Sequence, residues 1–138
     1  LILGLDRDGL HCRDLMDASC LLDRFVHLDK PVILTAFGVP STADSTRGGC
    51  WKEPWNPDRQ SRWAARIFGL AMSKPFIETL IWSSLCDHAD TPHPGVGLFD
   101  AEGTAKPAFD KLVGLRRRLR KPLGALKLPT RQKDAASS

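Results

Sequence analysis

The chain has no run of apolar residues near the ~18–20 needed to cross a bilayer as a helix, so no membrane-spanning helix is expected. It has no C-x-x-C pair. The four cysteines, Cys12, Cys20, Cys50 and Cys86, are scattered, which removes the usual zinc and redox spacings. Cys12 and Cys20 fall on one predicted helix, about 12 Å apart at 1.5 Å per residue, too far for a disulfide, and free thiols are expected. No glycine-rich phosphate loop follows any apolar run, which argues against a flavodoxin-like nucleotide domain. No repeat or low-complexity core is present. The first residues carry no initiator Met, basic segment or cleavage site, and the expectation is a chain that starts inside a larger protein.

What is present suits one soluble core: 138 residues, 42% of them hydrophobic and 26% charged. The net charge of +4 comes largely from the last quarter, where Arg116-Arg117-Arg118-Leu119-Arg120-Lys121 reads as the solvated end of a helix. Neither nucleic acid nor a membrane is expected as partner. Residues 122–138 read as a flexible basic tail.

The central stretch is Lys30-Pro31-Val32-Ile33-Leu34-Thr35-Ala36-Phe37-Gly38, an apolar and β-branched run that reads as a parallel strand buried on both faces. Before it, residues 1–6 read as a short strand and about 10–28 as an amphipathic helix, ended by the constraint Pro31 places on its predecessor. After it comes a long loop, 39–57, then a helix from Pro57 to about Ser73 with Asn56 as N-cap and proline at the first helical position. Residues 76–82 read as another strand, 83–97 as a second long loop, Leu98-Phe99 as a short extended piece, and 106–119 as a final helix. Strands alternating with helices argue for an α/β fold of parallel β-α units; three such units make the last part of a partial (β/α)8, or TIM, barrel.

The central stretch resembles the strand pattern K-P-(apolar)3-T-E-(apolar)-G of the retaining xylanases of glycoside hydrolase family ten, within the clan of (β/α)8 glycosidases. Gly97-Leu98-Phe99-Asp100-Ala101-Glu102-Gly103 followed by Lys106-Pro107-Ala108-Phe109 resembles that family's closing pattern, L-(L/F)-D-x-(D/E)-G-x-x-K-P-A-(F/Y). Gln60 near the start of a helix and Asp87 after the strand ending in Ile81-Trp82 match it too. The resemblance covers residues 1 to about 119, with 1–121 as the barrel part. It implies an O-glycosyl hydrolase of the endo-1,4-β-xylanase type, a carbohydrate partner such as β-linked polysaccharide, no cofactor or metal, and the rest of the barrel supplied upstream, including the general acid.

Two departures stand out. A retaining glycosidase needs two carboxyl groups about 5–5.5 Å apart, one as acid and one as nucleophile. At the position where the family has its nucleophilic Glu, this chain has Ala36. The family's W-G-x-x-D, whose Trp stacks on sugar, places that Trp on Ser83 when counted back from Asp87, with Trp82 one residue early and on the opposite strand face. Glu53, flanked by Trp51 and Trp55 in the long loop, is the candidate replacement carboxylate; loop-pinning tryptophans are the alternative reading. Trp51, Trp55, Trp82, Ser83 and Asp87 are the candidate substrate-binding residues. Asp87, His88, Asp90 and His93 match no standard zinc spacing and read as a solvated loop. Glu78 reads as a satisfied polar residue of the barrel, and Thr35 and Ser41 as structural. The alternative to hydrolysis is an inactive barrel that binds glycan or serves as scaffold.

Overall fold

The computed structural model describes residues 14–42, 55–88 and 95–120. Their order is α1 (Leu15–Asp23), a 3-10 turn (Arg24–Leu28), β1 (Val32–Phe37), α2 (Pro57–Met72), β2 (Ile77–Trp82) and α3 (Pro107–Leu119). The expected strand at residues 1–6 and tail at 122–138 lie outside the described residues.

The first helix starts at Leu15, later than expected, because Asp14 and Asp17 cap it reciprocally. The Asp17 amide donates to Asp14 Oδ1 at 2.8 Å, and the Asp14 amide donates to Asp17 Oδ2 at 3.3 Å. It is also shorter at its far end, where Arg24–Leu28 tighten into a 3-10 turn. Asp29 then takes a left-handed conformation (φ 48°), reversing the chain just before Lys30-Pro31. Asn56 caps α2, accepting from the Arg59 amide at 2.8 Å, with Pro57 opening the helix as the sequence predicts.

β1 and β2 pair in parallel, in the register Val32 with Ile77, Ile33 with Thr79, Leu34 with Leu80 and Phe37 with Trp82. A strand–helix–strand connection of this kind is the β-α unit expected from the alternating pattern. The register slips twice, between Val32 and Ile33 and between Leu34 and Phe37. The second slip spans Thr35 and Ala36, both exposed, where strict alternation would turn Ala36 to the same side as Leu34.

The helices cover one side of this sheet. Phe37 is completely buried, edge-on to Phe68 (5.9 Å between centroids) and to Trp82 (5.4 Å), and Ala18, Val39, Trp55 and Ile67 complete the cluster. A phenylalanine so placed stabilises by roughly 3–5 kcal/mol relative to alanine. Lys74, buried, pairs with Asp23 and ties the end of α1 to the turn before β2. The other side is open: Ile33 is 53% exposed and Ile81 47%. This corrects the expectation of a central strand buried on both faces. The apolar run in β1 has helices behind it and, among the described residues, nothing in front.

Candidate functional site

In a parallel β-α arrangement, residues at the carboxyl ends of strands and in the loops that follow are placed to meet a ligand. Here those ends are Thr35 to Val39, from the last residues of β1 onward, and Trp82 to Asp87, from the last residue of β2 onward. The Ser83 amide donates to the Phe37 carbonyl at 2.7 Å, extending the pairing beyond both strands and holding the two ends level. Ser83 is exposed, and so is Ala36, whose methyl group has no acid, base or nucleophile to offer.

The two candidate tryptophans among the described residues, Trp82 and Trp55, lie elsewhere. Trp82 is half-buried on the helix side, 6.2 Å from the Phe68 ring and nearly parallel to it, and its indole Nε1 donates to the Val96 carbonyl at 2.8 Å. The register slip in β1 leaves it on the helix side. Trp55 is 5% exposed, edge-on to Trp63 at 5.6 Å and with the Arg59 guanidinium 5.7 Å above its ring. Neither ring is presented as a sugar platform. Trp51 and Glu53 lie outside the described residues, as do Asp90 and His93.

Asp87 belongs to a buried polar clip that the sequence reading did not assemble. Its Oδ1 accepts from the Gly97 amide at 2.8 Å and its Oδ2 pairs with Lys106 Nζ. Lys106, only 8% exposed, also donates to Ser41 Oγ at 2.8 Å, and Ser41 Oγ donates to the Gly95 carbonyl at 2.8 Å. Three loop segments are thereby joined: the one after β1, the one after β2, and the one before α3. Gly97 lies hard against backbone, since a Cβ there would sit 2.6 Å from the Cys86 carbonyl carbon and from the Asp87 amide nitrogen.

Gln60, fully buried near the start of α2, completes the frame. Its Nε2 donates to the Val39 carbonyl at 2.9 Å and the Gly97 carbonyl at 3.1 Å. Only acceptors face the nitrogen, which fixes the amide's orientation. Among the described residues Gln60 Oε1 and Trp55 Nε1 have no hydrogen-bond partner. A signal for this frame was in the sequence: Gln60, Gly97 and Lys106 all fall on the matched motif, and a lysine just before a helix-opening Pro-Ala is poorly placed for helix capping but long enough to reach back to a carboxylate. Glu78, on β2, is exposed rather than enclosed; it lines an open cavity of about 550 Å³ beside Pro31, Pro75 and Phe76 at the opposite end of the strands. Among the described residues no three His, Cys, Asp or Glu side chains converge as metal ligands.

The frame therefore holds backbone and loops rather than reacting groups. Among the described residues beyond the strand ends, the one carboxylate in the loops flanking them, before α3's motif turn at Asp100, is Asp87, and it is committed to Lys106 and Gly97.

No protein-family model matches the chain, and no curated protein does. Solved structures do. The β-glucuronidase of Bifidobacterium dentium, complexed with coumarin-3-O-glucuronide, is 19% identical over 78% of this chain and 17% of its own, with a TM-score of 0.60. The β-glucuronidase of Ruminococcus gnavus is 18% identical over 88% of this chain and 22% of its own, at 0.60. Xylanase 10B of Thermotoga petrophila, in complex with xylobiose, is 16% identical over 78% of this chain and 33% of its own, at 0.55. This chain thus spans between a sixth and a third of the proteins it is similar to. At these identities the likeness is one of fold: two parallel strands and three helices, consistent with part of a TIM barrel such as those proteins have.

Proposed function

We propose that the chain is the carboxyl-terminal sector of a xylanase-type glycoside hydrolase barrel, of family-ten-like lineage, that engages β-linked polysaccharide without performing the retaining reaction through β1. The observation that carries this reading is Ala36. It is exposed near the carboxyl end of β1, within the register slip, and in the strand motif it takes the position at which the resembling family carries its nucleophile. A glycosyl-enzyme intermediate requires a carboxylate there, and a methyl group forms none. Losing such a group costs about five powers of ten, equivalent to ~7 kcal/mol of barrier, more than any neighbouring hydrogen bond restores. The remaining strands and the general acid would come from residues outside this chain. The intact loop frame around Gln60, Asp87 and Lys106 supports a barrel still kept in binding shape.

The experiment is turnover of an aryl β-xyloside by the full-length protein and its Ala36→Glu variant. The expected result is negligible turnover in the parent and a gain of about a hundredfold or more in the variant. Rapid turnover by the parent that Glu53→Ala abolishes would instead make Glu53 the substitute carboxylate and overturn the reading; rapid turnover untouched by either change would overturn it as well.

A further inference from the structure

We propose that the groove at the amino-terminal end of the strands is a docking site for the chain's own basic segment, residues 122–133. The groove is the open cavity of about 550 Å³ in which Val26, Pro31, Pro75 and Phe76 supply apolar wall and Asp29, Glu78 and Lys30 supply charge. Among the described residues neither Asp29 nor Glu78 makes an ion pair, and the two carboxylates outnumber Lys30, so the groove is net negative. Its apolar part is uncovered as well, with Val26 50% exposed.

Closing a barrel would not fill it. Glu78 alternates along β2 with Leu80 and Trp82, which pack against the core beneath the helices, so Glu78 stands on the helix side of the sheet. The strands that complete a barrel would cover the other side, where Ile33 and Ile81 are exposed. An occupant of the groove has to come from the helical layer instead.

Position and composition select it. α3 starts beside α2, where Ser61 Oγ donates to the Pro107 carbonyl at 3.3 Å, and two helices that start together and pack along one another run the same way. Pro107 to Leu119 is the same length of chain as Ser61 to Ser73, so α3 ends level with Ser73, two residues before Pro75 at the groove. The chain from Lys121 to Leu126 reaches ~20 Å when extended, enough to cross one helix spacing of ~10 Å. Residues 122–133, which lie outside the described ones, hold Leu123, Leu126 and Leu128 with Pro122 and Pro129 for the apolar walls, and Lys127, Arg131 and Lys133 for the carboxylates, with no acidic residue among them. Tethering favours this segment over a similar one on another molecule, because a short linker holds it at an effective concentration on the order of millimolar.

The test compares the full-length protein with the same protein lacking residues 122–138, using a fluorescein-labelled peptide of residues 122–133 and anisotropy at low salt. The peptide is expected to bind the deleted protein about tenfold or more tightly than the intact one, whose groove is already taken, and to bind less as ionic strength rises. An Asp29→Asn/Glu78→Gln change in the deleted protein, with an unchanged circular dichroism spectrum and melting temperature, is expected to weaken the peptide about tenfold; asparagine tolerates the left-handed backbone of residue 29. Equal binding by the intact and deleted proteins, no binding by the deleted one, or a variant that keeps the peptide would overturn the site. A peptide with serine at its three leucines that binds as tightly would reduce the attraction to bare charge and overturn the groove. Dimerisation of the intact protein that the deletion abolishes would assign the segment to a second copy and overturn the intramolecular form. The groove lies at the opposite end of the strands from Ala36, so none of these outcomes bears on the glycan reading.

Discussion

Replacing Lys106 with methionine keeps most of the side chain's length and volume but removes its charge. Asp87, whose side chain is 22% exposed, then loses its cation, and Ser41 Oγ loses its donor. Breaking one half of a buried pair costs ~3–5 kcal/mol; the partial exposure of Asp87 puts this case at the low end, about 3 kcal/mol. For a domain of this size that lowers the melting temperature by roughly 10 °C. The same substitution in an Asp87→Asn background is far milder. The amide oxygen still accepts from the Gly97 N–H, and no uncompensated carboxylate remains, so about 1 kcal/mol is expected. Urea unfolding of the four proteins of this cycle measures a coupling of about 2 kcal/mol. A loss below ~1 kcal/mol for Lys106→Met, or a coupling near zero, would refute the clip as a source of stability.

Gly97→Ala places a methyl group against the backbone of residues 86 and 87, which cannot yield as a flexible side chain would; a loss of about 2–3 kcal/mol in chemical denaturation is expected. Asn56→Ala removes the cap of α2 and is expected to cost about 1 kcal/mol by the same measurement, with Asn56→Asp recovering it. Ile33→Asp is the discriminating change for the open sheet face. It is expected to destabilise the full-length protein by about 2 kcal/mol or more, because the rest of a barrel would bury that position, and a neutral effect there would argue against barrel closure.

Much of this arrangement is legible in the residues. Pro57 behind Asn56 marks the start of α2 to the residue, and Pro107 marks α3, because proline fixes its own φ and has no N–H to leave unpaired. The two apolar runs at 32–37 and 77–82 emerge as parallel strands. Other features depend on tertiary facts that no local pattern carries. The helix predicted from about residue 10 starts at Leu15, since the Asp14–Asp17 capping box outweighs an apolar periodicity that extends further. The continuous apolar run of β1 implies two covered faces, but the same run is compatible with one face awaiting strands supplied by other segments. Trp55 sits beside a long loop with acidic and aromatic neighbours in sequence, yet its large apolar area is better buried against Trp63 than shown to solvent. Asp87 and Lys106 both stand on the matched motifs, but they lie 19 residues apart, and the spacing alone does not say that they pair.

The most direct test of the central claim is titration of the full-length protein with a β-1,4-linked xylo-oligosaccharide, followed in parallel by release of new reducing ends. Saturable binding with no release beyond the uncatalysed background is the result expected of a barrel with Ala36 near the end of β1. Release at a rate typical of a retaining glycosidase, on the order of 1 per second or faster, would contradict it.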